Sequence, residues 1–351
     1  MTISIDYSNM MGDVVAGGIS DADWRAAIEH FSAVHAGLER RRKAGDLGFL
    51  SLPSDESLHR QSTDFAARAG GRFDDVIVLG IGGSALGPIA LRTALLAPSW
   101  NSLSNEQRGG QPRLHVLDNV DPHTIAALLD RLALERSLFV VTSKSGGTAE
   151  TMAQYLVVRD RLNASTKDAK EHLVFVTDPT KGALREIANA EKIPALDIPP
   201  AVGGRFSVLT PVGILPAALV GIDTGSLLAG AGELAGQCTG TSLTANPAGL
   251  FATLQYLGDT KLGRHIHVLM PYSDPLRDLA DWYVQLWAES LGKHRSPGDA
   301  GVDRLRSARS GRRINTARSN SSWRGRPTRR WRSSPCVSSG PRSSFRGYIP
   351  M

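Results

Sequence analysis

The stretch Ser137-Leu-Phe-Val-Val-Thr-Ser-Lys-Ser-Gly-Gly-Thr-Ala-Glu-Thr151 sets how this chain folds. Leu138 to Val141 is a short apolar run, partly β-branched, of the kind that forms a buried strand. The chain then breaks into Thr142, Ser143, Lys144, Ser145, Gly146, Gly147 and Thr148. It resumes with a helical apolar pattern through Met152, Tyr155, Leu156 and Val158. A strand, a loop of hydroxyls and glycines, and a helix start make a phosphate-binding geometry. The first N–H groups of a helix lack intrahelical partners, the helix dipole favours an anion there, and Ser or Thr hydroxyls complete the shell. An ordinary β–α turn would need one Ser or Thr as N-cap. Four hydroxyls and a lysine within seven residues favour the anion site.

The same alternation continues on both sides of this stretch. Asp75 to Leu79 reads as a buried strand, followed by Gly80-Ile-Gly-Gly-Ser-Ala-Leu-Gly87 and a helix over 89–96. Leu114 to Leu117 and His172 to Thr177 are further strands, with helices over 122–132 and 181–191. Ala195 to Ile198 is a short fifth strand. Strands alternating with helices at this pace predict an α/β fold, a doubly wound parallel sheet with ligands at the carboxyl ends of its strands. Residues 1–70 read as a helical lead-in and 71–205 as the first domain. Residues 206–300 read as connecting helices and the start of a second, incomplete domain, opened by a strand at His265 to Met270 and a helix over 276–291.

Composition bounds the functions available. With 351 residues, 41% hydrophobic and 21% charged, the chain is an ordinary globular protein of one large or two medium domains. Two cysteines, Cys238 and Cys336, build neither a disulfide framework nor a metal cluster and suit a reducing cytoplasm. No apolar run reaches membrane-spanning length and the N-terminus shows no secretory pattern, so a cytoplasmic protein with no membrane partner is expected. The net charge of +6 comes from one place: residues 304–351 hold thirteen arginines and eleven serines, with no lysine and no acid. Without them, residues 1–303 carry a net charge of −7.

Several side chains could carry chemistry. Gly80-x-Gly-x-x-Ala85 after a strand satisfies the dinucleotide fingerprint, and Asp118 stands where a ribose-binding acid would, so a nicotinamide dehydrogenase competes. The hydroxyl loop after the third strand favours a phosphosugar, because a dinucleotide site does not need it. Arg205 lies in Gly203-Gly-Arg-Phe-Ser207, where flanking glycines let backbone approach a ligand; it also fits an ordinary surface residue. Gln285 and Glu289, four apart, share one helix face that includes Leu286. A carboxylate among apolar neighbours suits a general base, and a solvated glutamate is the simpler alternative. His265 and His267 could be a metal pair, but with no further ligands at useful spacing they read better as satisfied histidines.

In this order, these segments resemble glucose-6-phosphate isomerase of the bacterial type, built from two sugar-isomerase (SIS) domains. The resemblance covers about residues 1–300 and rests on Val78-Leu-Gly-Ile-Gly-Gly-Ser-Ala-Leu-Gly-Pro88, Thr142 to Thr151, Gly203 to Ser207, and Gln285-Leu-Trp-Ala-Glu-Ser-Leu-Gly-Lys293. It implies aldose–ketose isomerisation of glucose 6-phosphate and fructose 6-phosphate through a cis-enediol, without cofactor or metal, in a cytoplasmic homodimer. It implies that Gly83 and Ser84 contact the sugar, and that Ser143, Lys144, Ser145 and Thr148 hold the 6-phosphate. Arg205 would stabilise enediolate charge, Glu289 would carry the proton between C1 and C2, and Gln285 would orient the sugar. A non-catalytic phosphosugar-binding SIS module is the alternative.

The resemblance also implies a histidine in an Asp-Gln-His-Ser-like segment and a lysine in a C-terminal helix, both for ring opening, and neither occurs in this reading frame. Back-translating Arg313 to Ala317 with permitted codons and shifting the frame yields Asp-Gln-His-Ser. A frameshift near Ala300 to Asp303 is therefore expected, with 301–351 an out-of-frame, disordered basic tail and an isomerase activity that is poor or absent. The rival reading of the tail is a nucleic-acid-binding arm, which the lack of lysine and of spaced motifs disfavours.

Overall fold

The computed structural model describes residues 4–292 and 306–308. Five strands form a parallel sheet: β1 (Asp75–Leu79), β2 (Arg113–Leu117), β3 (Ser137–Ser143), β4 (Leu173–Thr177) and β5 (Ala195–Asp197). Their order across the sheet is β2-β1-β3-β4-β5. The crossovers are α3 (Gly83–Leu95), α4 (Pro122–Leu129), α5 (Ala149–Ser165) and α6 (Ala183–Glu191). Before the sheet come α1 (Asp21–Lys43) and α2 (Glu56–Ala69). After it come α7 (Pro211–Leu219), α8 (Thr224–Gln237), α9 (Pro247–Thr260) and α10 (Arg277–Leu291).

The two-residue period of each strand sorts its side chains to two covered faces. Ile77, Leu79, Phe139, Val141 and Phe175 pack with Ile125 of α4, Tyr155, Val158 and Leu162 of α5, and Leu184 of α6. Val76, Val78, Leu138, Val140, Val174 and Val176 pack with Ala69 of α2 and with Val212, Leu215 and Leu219 of α7. A fully buried side chain of this size contributes about 2 kcal/mol relative to an exposed one. The near-continuous apolar runs of β1, β3 and β4 are thus the sequence expression of a sheet covered on both sides.

The helix after β1 begins at Gly83, six residues earlier than the sequence pattern places it, and contains Pro88. Proline at this position forgoes the bond to the carbonyl four residues back and crowds that carbonyl. The expected strand at His265 to Met270 is β6 (His267–Leu269), paired in parallel with β7 (Arg306–Ala308) in a separate two-stranded sheet. β7 lies within the segment read from sequence as the basic tail; residues 309–351, and so most of that tail, lie outside the described residues. Among the described residues no helix is long and apolar enough to cross a membrane.

Candidate active site

The strand order reverses between β1 and β3. From β1 the chain turns to α3 on the α7 side of the sheet, and from β3 to α5 on the α4 side. Such a switch point opens a crevice at the carboxyl ends of the two strands. Both loops singled out in the sequence border it. The order is the flavodoxin-like one. A dinucleotide-binding sheet would place β1 between β2 and a fourth strand, with β3 beyond β2, so the dehydrogenase reading of Gly80 to Ala85 fails on topology.

At the end of β3 the hydroxyls face one another. Ser143 Oγ lies 2.8 Å from Thr148 Oγ1 and 3.4 Å from Ser145 Oγ, and the Gly147 N–H donates to Ser145 Oγ at 3.3 Å. Helices α1, α2, α4, α7, α8 and α9 each begin with a side chain that accepts an N–H of the first turn; α3, α5, α6 and α10 do not. Thr148 occupies its N-cap position with its hydroxyl turned to Ser143. The first turn of α5 therefore keeps its donors for another acceptor. Lys144 reaches from the loop to a neighbouring segment. Its Nζ donates to Pro200 O at 2.9 Å, which ties the loop to the segment leading into Gly203 and Gly204.

The first glycine loop explains its own composition. Gly82 has φ +56°, and a Cβ there would fall 2.7 Å from Gln285 Nε2. A Cβ on Gly83 would fall 2.4 Å from Gly204 O and 2.9 Å from Arg205 N. Only glycine lets α3 start against that loop, and α10 packs along α3. These contacts bring the Gly82–Gly83 turn against Gln285, about 200 residues on, and against Gly204 and Arg205, about 120 residues on.

Arg205 is held from three sides. Its guanidinium lies over the Phe206 ring at 4.6 Å, and Phe206 stacks on Phe49 at 4.6 Å with 12° between planes. Its Nε donates to Ser290 Oγ at 2.9 Å, and Ser290 Oγ donates to Leu286 O at 2.5 Å. Its Nη1 stands 3.9 Å from Glu289 Oε2, the spacing of an ion pair without a direct hydrogen bond. Gln285 Nε2 donates to Glu289 Oε1 at 2.9 Å, as the shared helix face predicts. Glu289 is 46% exposed, so the apolar enclosure expected from the pattern of α10 is absent among the described residues. Its neighbours are an amide and a guanidinium.

Ser290, Phe206 and Phe49 were not legible as site residues. A serine beside a glutamate carries no signal of its own, and two aromatics over 150 residues apart show no pairing in sequence. The histidines proved to be satisfied ones. His265 Nδ1 pairs with Asp259 Oδ1 at 2.8 Å, and His267 sits between Gln255 Oε1 at 2.6 Å and the Tyr283 hydroxyl at 3.1 Å. Among the described residues no group of three or more His, Cys, Asp or Glu could hold a metal. Two cavities, of about 540 and 580 Å³, open at the amino ends of the strands around Phe73, Gln111 and Gly221, away from both loops.

A doubly wound sheet with an uncapped, hydroxyl-lined helix start at its switch point is the arrangement by which one class of α/β domains receives anionic ligands, and this chain adds a carboxylate beside a guanidinium. The chain belongs to the phosphoglucose isomerase family, whose model matches residues 56–308. That match runs past Ala300 to Asp303, where the sequence reading places a change of frame. A glucose-6-phosphate isomerase of Carboxydothermus hydrogenoformans is 44% identical over 298 residues, 84% of this chain and 63% of the relative. One of Rubrobacter xylanophilus is 42% identical over 301 residues, 83% of this chain and 66% of the relative. The chain thus spans less than two thirds of these relatives' length. Among solved structures, a hypothetical protein of Thermus thermophilus superposes with a TM-score of 0.72 at 36% identity, over 83% of this chain and 66% of that one. A glucose-6-phosphate isomerase of Chlamydia trachomatis gives 0.62 at 26% identity, over 74% and 49%.

Proposed function

We propose that this site binds a hexose 6-phosphate and interconverts glucose 6-phosphate and fructose 6-phosphate, the aldose–ketose step shared by glycolysis and gluconeogenesis. The phosphate lies against the first turn of α5 and the hydroxyls of Ser143, Ser145 and Thr148, with Lys144 contributing positive charge nearby. Gly83 and Ser84 contact the sugar, and Gln285 orients it. Glu289 removes the proton from C2 of the open-chain aldose. The electron pair forms a C1–C2 double bond while the C1=O π bond opens onto O1, giving a cis-enediolate whose negative charge lies beside Arg205. Transfer of the hydroxyl proton from O2 to O1, re-formation of a carbonyl at C2 and return of the abstracted proton to C1 give the ketose. The reverse direction uses the same groups.

The carrying observation is the relation of Arg205 to Glu289. The guanidinium is fixed by Ser290 and Phe206 rather than by the carboxylate, so charge stabiliser and base stay separate groups 3.9 Å apart. An enediol mechanism needs one base and one cation near the sugar oxygens, and no redox partner. A cytoplasmic setting and a homodimer belong to the same proposal. The two-cysteine composition supports the first, and likeness to the family is the ground for the second.

The test is solvent exchange in D₂O. Wild-type chain is expected to place deuterium at C1 of fructose 6-phosphate, read by proton NMR, and Glu289→Gln to abolish this while still binding the sugar phosphate. Exchange on the open-chain sugar needs base and cation but not ring opening, so it reports on these residues directly. Binding without any exchange in the wild type would replace this reading with the non-catalytic phosphosugar module.

A further inference from the structure

The turn between β4 and α6 meets the phosphate loop through a set of contacts that the isomerase reading does not use. Thr177, the last residue of β4, is paired in register with Ser143. Its hydroxyl is buried, makes no hydrogen bond in the structure, and would lie 3.2 Å from a Cβ on Gly146. Gly146 has φ +68° and Gly182 has φ +95°, and the two backbones lie against each other. A Cβ on Gly182 would fall 2.3 Å from Ser145 O and 3.1 Å from Gly146 Cα. With ψ 156°, Gly182 sits in a region of backbone space open essentially to glycine alone.

One hydrogen bond gives this contact a direction. Helix α6 has no side-chain cap, and the Leu184 N–H of its first turn donates to Gly146 O at 3.1 Å. In a planar trans peptide the carbonyl and the following N–H point opposite ways. Holding Gly146 O towards α6 therefore aims the Gly147 N–H away from it, to the side of the loop where it meets Ser145 Oγ. The turn itself is rigid. Asp178 accepts from the Thr180 and Lys181 N–H groups, and Arg185 bridges Asp178 O at 2.9 Å and Asp197 Oδ1 at 2.5 Å.

We propose that the β4–α6 turn is the positioning element of the phosphate loop, with Gly182 its positioning residue: it fixes the Gly146–Gly147 peptide so that the Gly147 N–H faces the phosphate. The inference rests on the phosphate reading of the α5 loop. Gly182 touches no substrate and acts through the peptide it orients.

The experiment compares Gly182→Ala with Gly71→Ala, by calorimetric titration with fructose 6-phosphate and by thermal unfolding. Gly71 also has positive φ, +72°, but a Cβ there would meet nothing within 4 Å. Both variants are expected to melt at lower temperature. Only Gly182→Ala is expected to lose affinity, by about tenfold, the effect of one misdirected hydrogen bond to a charged group. Gly182→Ala binding within about twofold of wild type overturns the proposal, as does an equal loss in Gly71→Ala. Should Gly182→Ala fail to fold, Thr177→Ile keeps a strand-compatible side chain while pressing on Gly146 from below. Its affinity is expected to fall by about threefold or more, and unchanged binding overturns the proposal equally. Wild-type chain that binds no fructose 6-phosphate sinks the phosphate reading itself. Binding in the wild type that survives both substitutions sinks only the role of the turn.

Discussion

Gln285 donates through Nε2 to Glu289 Oε1 over 2.9 Å, and the same nitrogen lies 2.7 Å from where a Cβ on Gly82 would fall. One amide thus links the candidate base to the first glycine loop. The carboxylate's second oxygen, Oε2, faces Arg205. Glu289→Gln keeps the shape of the side chain and removes the proton acceptor. Deuterium exchange into fructose 6-phosphate is expected to fall by about 10²–10⁴-fold with little change in sugar phosphate affinity. Exchange rates within a few-fold of wild type would mean that the base lies elsewhere.

Arg205→Lys tests the fixed guanidinium. Lysine keeps the charge but cannot reproduce the planar stack on Phe206 together with an Nε donor to Ser290. Exchange is expected to slow by about 10²-fold, the order seen when a preorganised donor at a developing anion is lost. Ser290→Ala, which frees Nε without changing charge, is expected to give a smaller loss in the same direction. Steady-state exchange rates on the two variants decide the order.

Gly83→Ala would drive a methyl to within 2.4 Å of the Gly204 carbonyl oxygen, a backbone atom that cannot swing aside. Overpacking of this kind costs about 1–3 kcal/mol. Calorimetric unfolding is expected to show a lower midpoint, and binding of fructose 6-phosphate is expected to weaken with it, because the same contact sets Arg205. An alanine tolerated without loss of either would show that the two loops are not in contact.

At the opposite end of the sheet Asp75 is buried, with a side chain 1% exposed, and binds Arg113 at 2.7 and 2.5 Å and His115 Nε2 at 2.9 Å. Burial pushes its carboxyl up, but the hydrogen bonds and charges of His115 and Arg113 outweigh it and hold the group below the usual aspartate range. A carboxyl depressed in the folded state stabilises the fold above its unfolded value of about 3.9, and that stability drains away as pH falls through the folded value. Wild-type unfolding free energy is therefore expected to drop with acid below about pH 4, more steeply than in Asp75→Asn. Asp75→Ala at neutral pH is expected to cost about 1–2 kcal/mol in urea unfolding, since it removes hydrogen bonds to a partly exposed Arg113 and a partly buried histidine. A flat acid limb for the wild type would rule out this pair as a source of stability.

The parallel sheet could be read from the chain alone, because strands covered on both faces must be written as unbroken apolar runs, and those of β1, β3 and β4 are unmistakable. The hydroxyl cluster at the start of α5 was equally legible, since its residues are neighbours in sequence. Four residues apart on one helix was enough to pair Gln285 with Glu289. The remainder depends on tertiary contacts. The order β2-β1-β3-β4-β5, which separates this site from a dinucleotide one, is a matter of which strands pair, and no single strand carries that information. The start of α3 at Gly83, the hydrogen bond of Lys144 to Pro200 O, and the hold of Ser290 on Arg205 all arise from contacts between distant segments. The exposure of Glu289 belongs with them, because burial depends on what neighbouring elements cover rather than on the helix's own period.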